Sequence, residues 1–272
     1  MPRVNAGGIE LYYEEAGEGV PLILQAHALL PWLQFQVPFF AQRYRVLTFD
    51  RRGTGRSASP PGDWTVADFT ADVRGLMDAL GIERAIVGGA SLGGMIACQF
   101  GLDYPDRALA LICGHTVPHL WPLAHEWNAE LIAAMEAGNP GIPMQPRSYA
   151  WEAAGPPSQH PDFAASPFGR ILSAAASVAA PTTGAGAARM AGAVERWDMR
   201  PRYAELNASR IPALVIVGGH EPQKTVELAY EWHKEMPASE FVVMPDAYHG
   251  AAREQPIEWN AHVLAFLGRH GL

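Results

Sequence analysis

Residues 87–94, Val-Gly-Gly-Ala-Ser-Leu-Gly-Gly, restrict what this chain can fold into more than any other stretch. An apolar, β-leaning run (Ala85, Ile86, Val87) leads in, and a helical run from Met95 to Gly101 leads out. A serine in Gly-x-Ser-x-Gly spacing at such a junction fits a strand-to-helix turn so tight that only small residues are accommodated two before and two after it. Ser91 would then project its Oγ above the end of a sheet, with the Leu92 backbone N–H placed to receive a developing negative charge. A glycine-rich loop closing an ordinary βα unit carries the same five residues, so this stretch alone leaves both readings open.

The neighbouring segments supply a rhythm. Val4 to Glu14 alternates around Gly7-Gly8 as a hairpin does. Leu22 to Gln25 is apolar enough for a central strand, an amphipathic helix runs from Trp32 to Gln42, and Arg45 to Phe49 is the next strand. Thr65 and Asp68 stand in capping-box spacing before a helix whose apolar positions Val66, Phe69, Val73, Leu76 and Leu80 follow the 3.6 period and stop at Gly81. Ala108 to Cys113 is a further strand. Strands alternating with helices predict an α/β fold with a mostly parallel central sheet.

From Val117 to Arg200 strand signals vanish, and Ala, Pro, Gly, Trp and Met dominate, with Trp121, Trp127, Trp151 and Trp197 all falling here. This reads as a mostly helical insertion over the sheet, broken near Pro156-Pro157 and Pro181 to Gly184. The α/β rhythm then resumes: a strand at Ala213 to Val217, a helix at Val226 to Glu235, a strand at Phe241 to Met244, and a last helix from Pro256 with Ile257, Ala261, Leu264 and Leu267 on one face. The expected organisation is a core of residues 1–116 and 201–272 carrying a cap of residues 117–200.

Composition narrows the function. With 272 residues, 49% hydrophobic and 18% charged, the chain can bury a large core. A net charge of −8 and the lack of any basic run argue against nucleic-acid or anionic-membrane surfaces. Met1 to Glu15 has no apolar core following positive charge, and no apolar run is long enough to span a bilayer. The two cysteines, Cys98 and Cys113, sit in apolar surroundings and read as buried thiols. A cytoplasmic protein is expected.

Five stretches now agree in order, and the chain resembles the α/β-hydrolases with a cap insertion. His27-Ala28 stands where that family has a His-Gly loop. Asp50-Arg51-Arg52-Gly53-Thr54-Gly55-Arg56-Ser57 fits its Asp-x-Arg-Gly-x-Gly-x-Ser loop, and Gly89-Ala90-Ser91-Leu92-Gly93 its elbow. Gly218-Gly219-His220-Glu221 matches its Gly-x-x-acid pattern, and His249 its loop histidine. The order Ser91, Glu221, His249 is the nucleophile–acid–base order of that fold. The chemistry gives each type a reason: serine needs a base to remove its proton, imidazole titrates in the right range, and a carboxylate fixes the imidazole tautomer. The resemblance implies oxyanion donors at the backbone of Leu92 and Leu29, no cofactor, and a small ester or lactone with a hydrophobic body as substrate. Carbon–carbon bond hydrolysis and perhydrolysis could use the same triad, and a ligand-binding protein that kept the fold is the non-enzymatic alternative.

Two positions depart from the family. The acid is Glu221 rather than Asp, and Ala28 replaces a glycine in the loop that carries Leu29. Rival carboxylates are Asp198, Asp246 and Glu126; Asp246 lies too close in sequence to His249 to reach around its ring, and Asp198 reads as a tie at the cap's exit. Some relatives carry the acid after the strand preceding the cap, but Gly114-His115-Thr116 offers no carboxylate. His115, His119 and His125 lack the completing ligands of a metal site and read as pocket lining or surface. Arg51 and Arg52 are expected to tie their loop together, and His27 to hydrogen-bond its own.

Overall fold

The computed structural model describes residues 3–25, 29–136 and 184–272. Strands β1 (Arg3–Ala6) and β2 (Ile9–Ala16) form the expected hairpin. Its turn needs positive φ at both central residues, and Gly7 and Gly8 supply it at 68° and 101°. Then come β3 (Val20–Gln25), α1 (Leu29–Phe40), β4 (Tyr44–Phe49), α2 (Val66–Ala79), β5 (Ala85–Ala90), α3 (Leu92–Asp103) and β6 (Ala108–Gly114). After β6 the described residues form α4 (Pro122–Glu136), α5 (Gly184–Glu195) and α6 (Tyr203–Ala208). The chain closes with β7 (Ala213–Gly218), α7 (Gln223–Lys234), β8 (Ser239–Met244), the single turn α8 (Ala251–Glu254) and α9 (Pro256–Arg269).

The strands make one eight-stranded sheet in the order β1-β2-β4-β3-β5-β6-β7-β8, parallel from β4 onward, with β2 antiparallel to β4. Alternate strand residues feed opposite faces. Ile23, Leu47, Val87, Val215 and Val217 pack with α2, α3 and α7 on one side. Leu22, Leu24, Val46, Ile86, Leu214 and Ile216 pack with α1 and α9 on the other. Both faces are covered, which is why these strands read as continuous apolar runs. Cys98 and Cys113 are free, buried thiols within the first of these clusters.

The start of α2 follows the capping arrangement: the Thr65 backbone N–H and hydroxyl both donate to Asp68 Oδ2, at 2.8 and 2.7 Å. The apolar face expected for α9 is different in the structure. Ile257 is 86% exposed and Ala261 is exposed, while Trp259, Val263, Phe266 and Leu267 face the sheet. Both sets have helical spacing. The stripe containing Trp259 wins because it buries the larger area, and a fully buried large apolar side chain contributes roughly 1.5–3 kcal/mol.

Loop 50–57 is only half as expected. Arg52 grips Asp72 with Nε and a terminal nitrogen, both at 2.7 Å, and the Asp50 carboxylate accepts the Arg56 N–H at 3.0 Å. Arg51 ties nothing. The guanidinium is buried at 5.9 Å from the Phe69 ring centroid, its nitrogens have no hydrogen-bond partner among the described residues, and burial pushes its pKa down to about 10.

Candidate active site

Parallel strands β3, β5, β6 and β7 end side by side: Gln25 pairs with Gly89, Ala90 with Gly114, and Gly114 with Ile216. The segments leaving this edge carry Ser91, His115 and Glu221, and the segment after β8 carries His249. In an open α/β sheet this carboxyl edge is where ligands are met.

Ser91 sits between β5 and α3 with φ 57° and ψ −124°, a conformation that a side chain seldom adopts. The turn is held by the Ser91 N–H donating to Gly114 O at 2.8 Å, and by Ser91 O accepting from Gly94 at 2.9 Å and Met95 at 3.2 Å. The flanking glycines have a visible cause. A Cβ on either Gly89 or Gly93 would lie 2.3 Å from the same carbonyl oxygen, that of Gln25 on β3. Gly93→Ala is therefore expected to lose about 3 kcal/mol, as overpacked sites do. Gly268→Ala meets open space in α9 and should gain up to about 1 kcal/mol from helix propensity. Urea-unfolding midpoints check both, and equal effects would contradict the close-approach explanation.

Leu92 is the first residue of α3 and is fully buried, and Leu29 is the first residue of α1. The first N–H groups of a helix have no carbonyl within it, so both backbones are of the kind that receive an anion. His27 and Ala28 lie outside the described residues, as do Trp151, Met144, Pro156-Pro157 and the break at residues 181–183.

Glu221 follows β7 and is buried, its side chain 1% exposed. Its Oε2 accepts from His249 Nδ1 at 3.0 Å. Its Oε1 accepts from the Gly218 N–H at 2.9 Å and from His115 Nδ1 at 2.7 Å. Burial alone would push this carboxyl upward, but the hydrogen bonds from His115 and His249 outweigh it and hold Glu221 well below the usual carboxylate range. His249 is 40% exposed at its side chain. Burial would lower its pKa; the hydrogen bond and charge of Glu221, helped by Glu254 and opposed by Arg253, raise it instead.

The expectation for His115 is overturned. It is neither pocket lining nor surface but a buried residue, 1% exposed, whose ring stands edge-on to that of His249 at 6.1 Å between centroids. The sequence gives it no flanking motif. The signal lay in the topology, because β6 and β7 are neighbours whose ends open on the same edge. The other two histidines turn elsewhere: His119 Nδ1 meets Leu120 O at 2.8 Å and His125 Nδ1 meets Glu195 at 2.5 Å. The rival carboxylates are engaged or exposed. Asp198 binds the Arg200 side chain at 2.9 and 2.6 Å, Asp246 and Glu126 are exposed, and His220 stacks on Tyr248 at 4.8 Å.

The chain belongs to the α/β-hydrolase fold family, whose model matches residues 21–256. The 3-oxoadipate enol-lactonase 2 of Acinetobacter baylyi is 27% identical over 270 residues, 98% of this chain and 96% of that protein. Among solved structures, an enol-lactonase from Burkholderia xenovorans LB400 superimposes with a TM-score of 0.79 at 26% identity, covering 98% of this chain and 100% of that one. A thermophilic esterase from Thermogutta terrifontis gives 0.80 at 25% identity, with 99% and 98% covered. Several other curated relatives are matched over less than half their length; one is 34% identical over 113 residues, 43% of that protein. No described helix is long and apolar enough to cross a membrane.

Proposed function

We propose that this protein is a serine hydrolase of carboxylic esters or lactones with a hydrophobic body, working through an acyl-enzyme with its own side chains. The observation that carries the reading is the His249–Glu221 hydrogen bond of 3.0 Å, on the same sheet edge as a serine held at φ 57°. Ser91 Oγ attacks the carbonyl carbon while His249 Nε2 takes its proton. The oxyanion is met by backbone N–H groups of Leu92 and Leu29, each such donor being worth about 3–4 kcal/mol in the transition state. Collapse expels the alkoxide, which receives the proton from His249, and water deprotonated by His249 then releases the acid and restores Ser91.

Glu221 holds the Nδ1 proton of His249, leaving Nε2 as the acceptor that the first step requires. Residues 117–200 act as the cap that roofs the site. This reading is supported by Asn128 on α4 donating to Ala191 O on α5 at 2.9 Å, and by Trp197 donating to Val117 O at 2.8 Å, which tie the described parts of that region together. The richness of residues 117–200 in tryptophan and methionine favours a substrate with an apolar body. Two unpaired buried thiols support a cytoplasmic setting.

A base must be unprotonated to act, so activity falls as pH drops through the His249 pKa. Because that pKa is raised, the acid limb of kcat/KM is expected above the ordinary value of 6.5. A pH profile checks this, and a limb below 6.5 would contradict the assigned environment. The substrate class is tested with nitrophenyl esters of increasing acyl length, a series of lactones, and a β-diketone. Turnover of esters or lactones that rises with apolar size supports the proposal, and turnover confined to the β-diketone overturns it.

A further inference from the structure

His115 is not needed by any step above, yet it makes the shortest hydrogen bond to Glu221. We propose that His115 is a positioning residue for the reaction: it clamps the far oxygen of Glu221, so that one carboxylate is held between two imidazoles and the near oxygen is fixed on His249. The inference rests on the reading of Glu221 as the triad acid.

Three observations point the same way. First, the contact is specific: Nδ1 of His115 lies 2.7 Å from Oε1 of Glu221, and the carboxylate accepts, so Nδ1 carries the proton. Second, the ring has no other polar tie among the described residues, since its Nε2 is buried without a partner. An imidazole wholly inside the protein, with one nitrogen unsatisfied, is an expensive choice for packing alone. Third, the backbone is bent to deliver it. His115 has φ 51°, and apart from Ser91 no other described non-glycine residue has positive φ. The His115 N–H donates to Ile216 O on β7 at 2.7 Å, which pins this turn to the strand that leads to Glu221. A glycine would hold this φ without strain, so the imidazole is kept here at a conformational cost.

The need for such a clamp follows from the length of the acid. A glutamate has one more rotatable bond than an aspartate, so its carboxylate can swing further from the imidazole it must orient. The Gly218 N–H at 2.9 Å fixes Oε1 from one side and His115 fixes it from the other. With both in place, Oε2 has one direction left, towards His249. The clamp has an electrostatic effect too. A donor on Oε1 draws charge from the carboxylate and weakens its hold on the His249 proton, which keeps His249 deprotonated to lower pH than an unshared Glu221 would allow. The groups acting on His249 are Glu221 from the β7 end, His115 from the β6 end, and Glu254 and Arg253 from α8.

The test uses two replacements in the full-length protein. H115F fills the ring's space without a donor; H115N keeps an N–H in the place of Nδ1 and tolerates positive φ well. H115F is expected to lower kcat about 10- to 100-fold, the effect of a misplaced supporting group, with KM within about twofold. Its acid limb should move up by about half a pH unit, because Glu221 then holds the His249 proton more tightly. H115N should recover most of the kcat and return the limb to the wild-type position. A merely structural role would lower the active fraction without moving the limb. Proton NMR of the wild type needs no variant: a downfield, exchange-protected imidazole N–H from His115 is expected, and its absence overturns the proposal. An unshifted limb in H115F, or equal losses in H115F and H115N, also overturns it. Glu221→Gln separates the two readings. If that variant keeps full activity, the triad assignment itself fails; if it collapses while H115F matches the wild type, only the clamp fails.

Discussion

Ser91→Ala should lower turnover of the best ester or lactone by at least about ten-thousand-fold while leaving a folded protein. The loss is large because no neighbouring group replaces the attacking oxygen, and the residual rate comes from binding and the oxyanion donors alone. Stability should change by less than about 1 kcal/mol, since alanine keeps the Cβ in the same strained turn and the Ser91 hydroxyl makes no capping hydrogen bond. Ser91→Gly goes further. It relieves the φ of 57° and is expected to be inactive yet more stable than the wild type by about 1 kcal/mol. Steady-state kinetics with urea unfolding measures both. Activity in Ser91→Ala above a few per cent of wild type would remove Ser91 from the chemistry.

Glu221→Gln has the second largest expected effect, about a thousand- to ten-thousand-fold in kcat with KM little changed. Three donors converge on the carboxylate: His249 Nδ1, His115 Nδ1 and the Gly218 N–H. A glutamine has one acceptor oxygen. Whichever way its amide turns, its NH2 group faces a donor, and one of the two imidazoles must change tautomer. If His249 does, its Nε2 carries the proton and cannot accept one from Ser91. Kinetics with His249 NMR reads this directly, and a loss confined to KM would contradict it.

The sheet and the elbow were legible because they rest on local rules. Alternating apolar faces, a capping pair at Thr65 and Asp68, and glycines two before and two after Ser91 each act within a few residues of themselves. The family resemblance extended that to Glu221 and His249, whose spacing from Ser91 in the chain carries no geometry. What was missed depends on neighbours that sequence does not list. His115 looked like one of three histidines clustered at the cap's entry until β6 and β7 lay side by side. Ile257 fitted a helical stripe as well as Trp259 did, and only the sheet beneath α9 decided between them. Arg51 shared its motif with Arg52, but only Arg52 has Asp72 within reach.

An activated serine at position 91 is what the proposed chemistry requires above all. Fluorophosphonate labelling, followed by intact-mass measurement and peptide mapping, tests it directly. The prediction is a single adduct on the peptide containing Ser91, forming faster as pH rises through the His249 limb and absent from Ser91→Ala. A wild-type protein that stays unlabelled, or a Ser91→Ala variant that labels equally well, would contradict it.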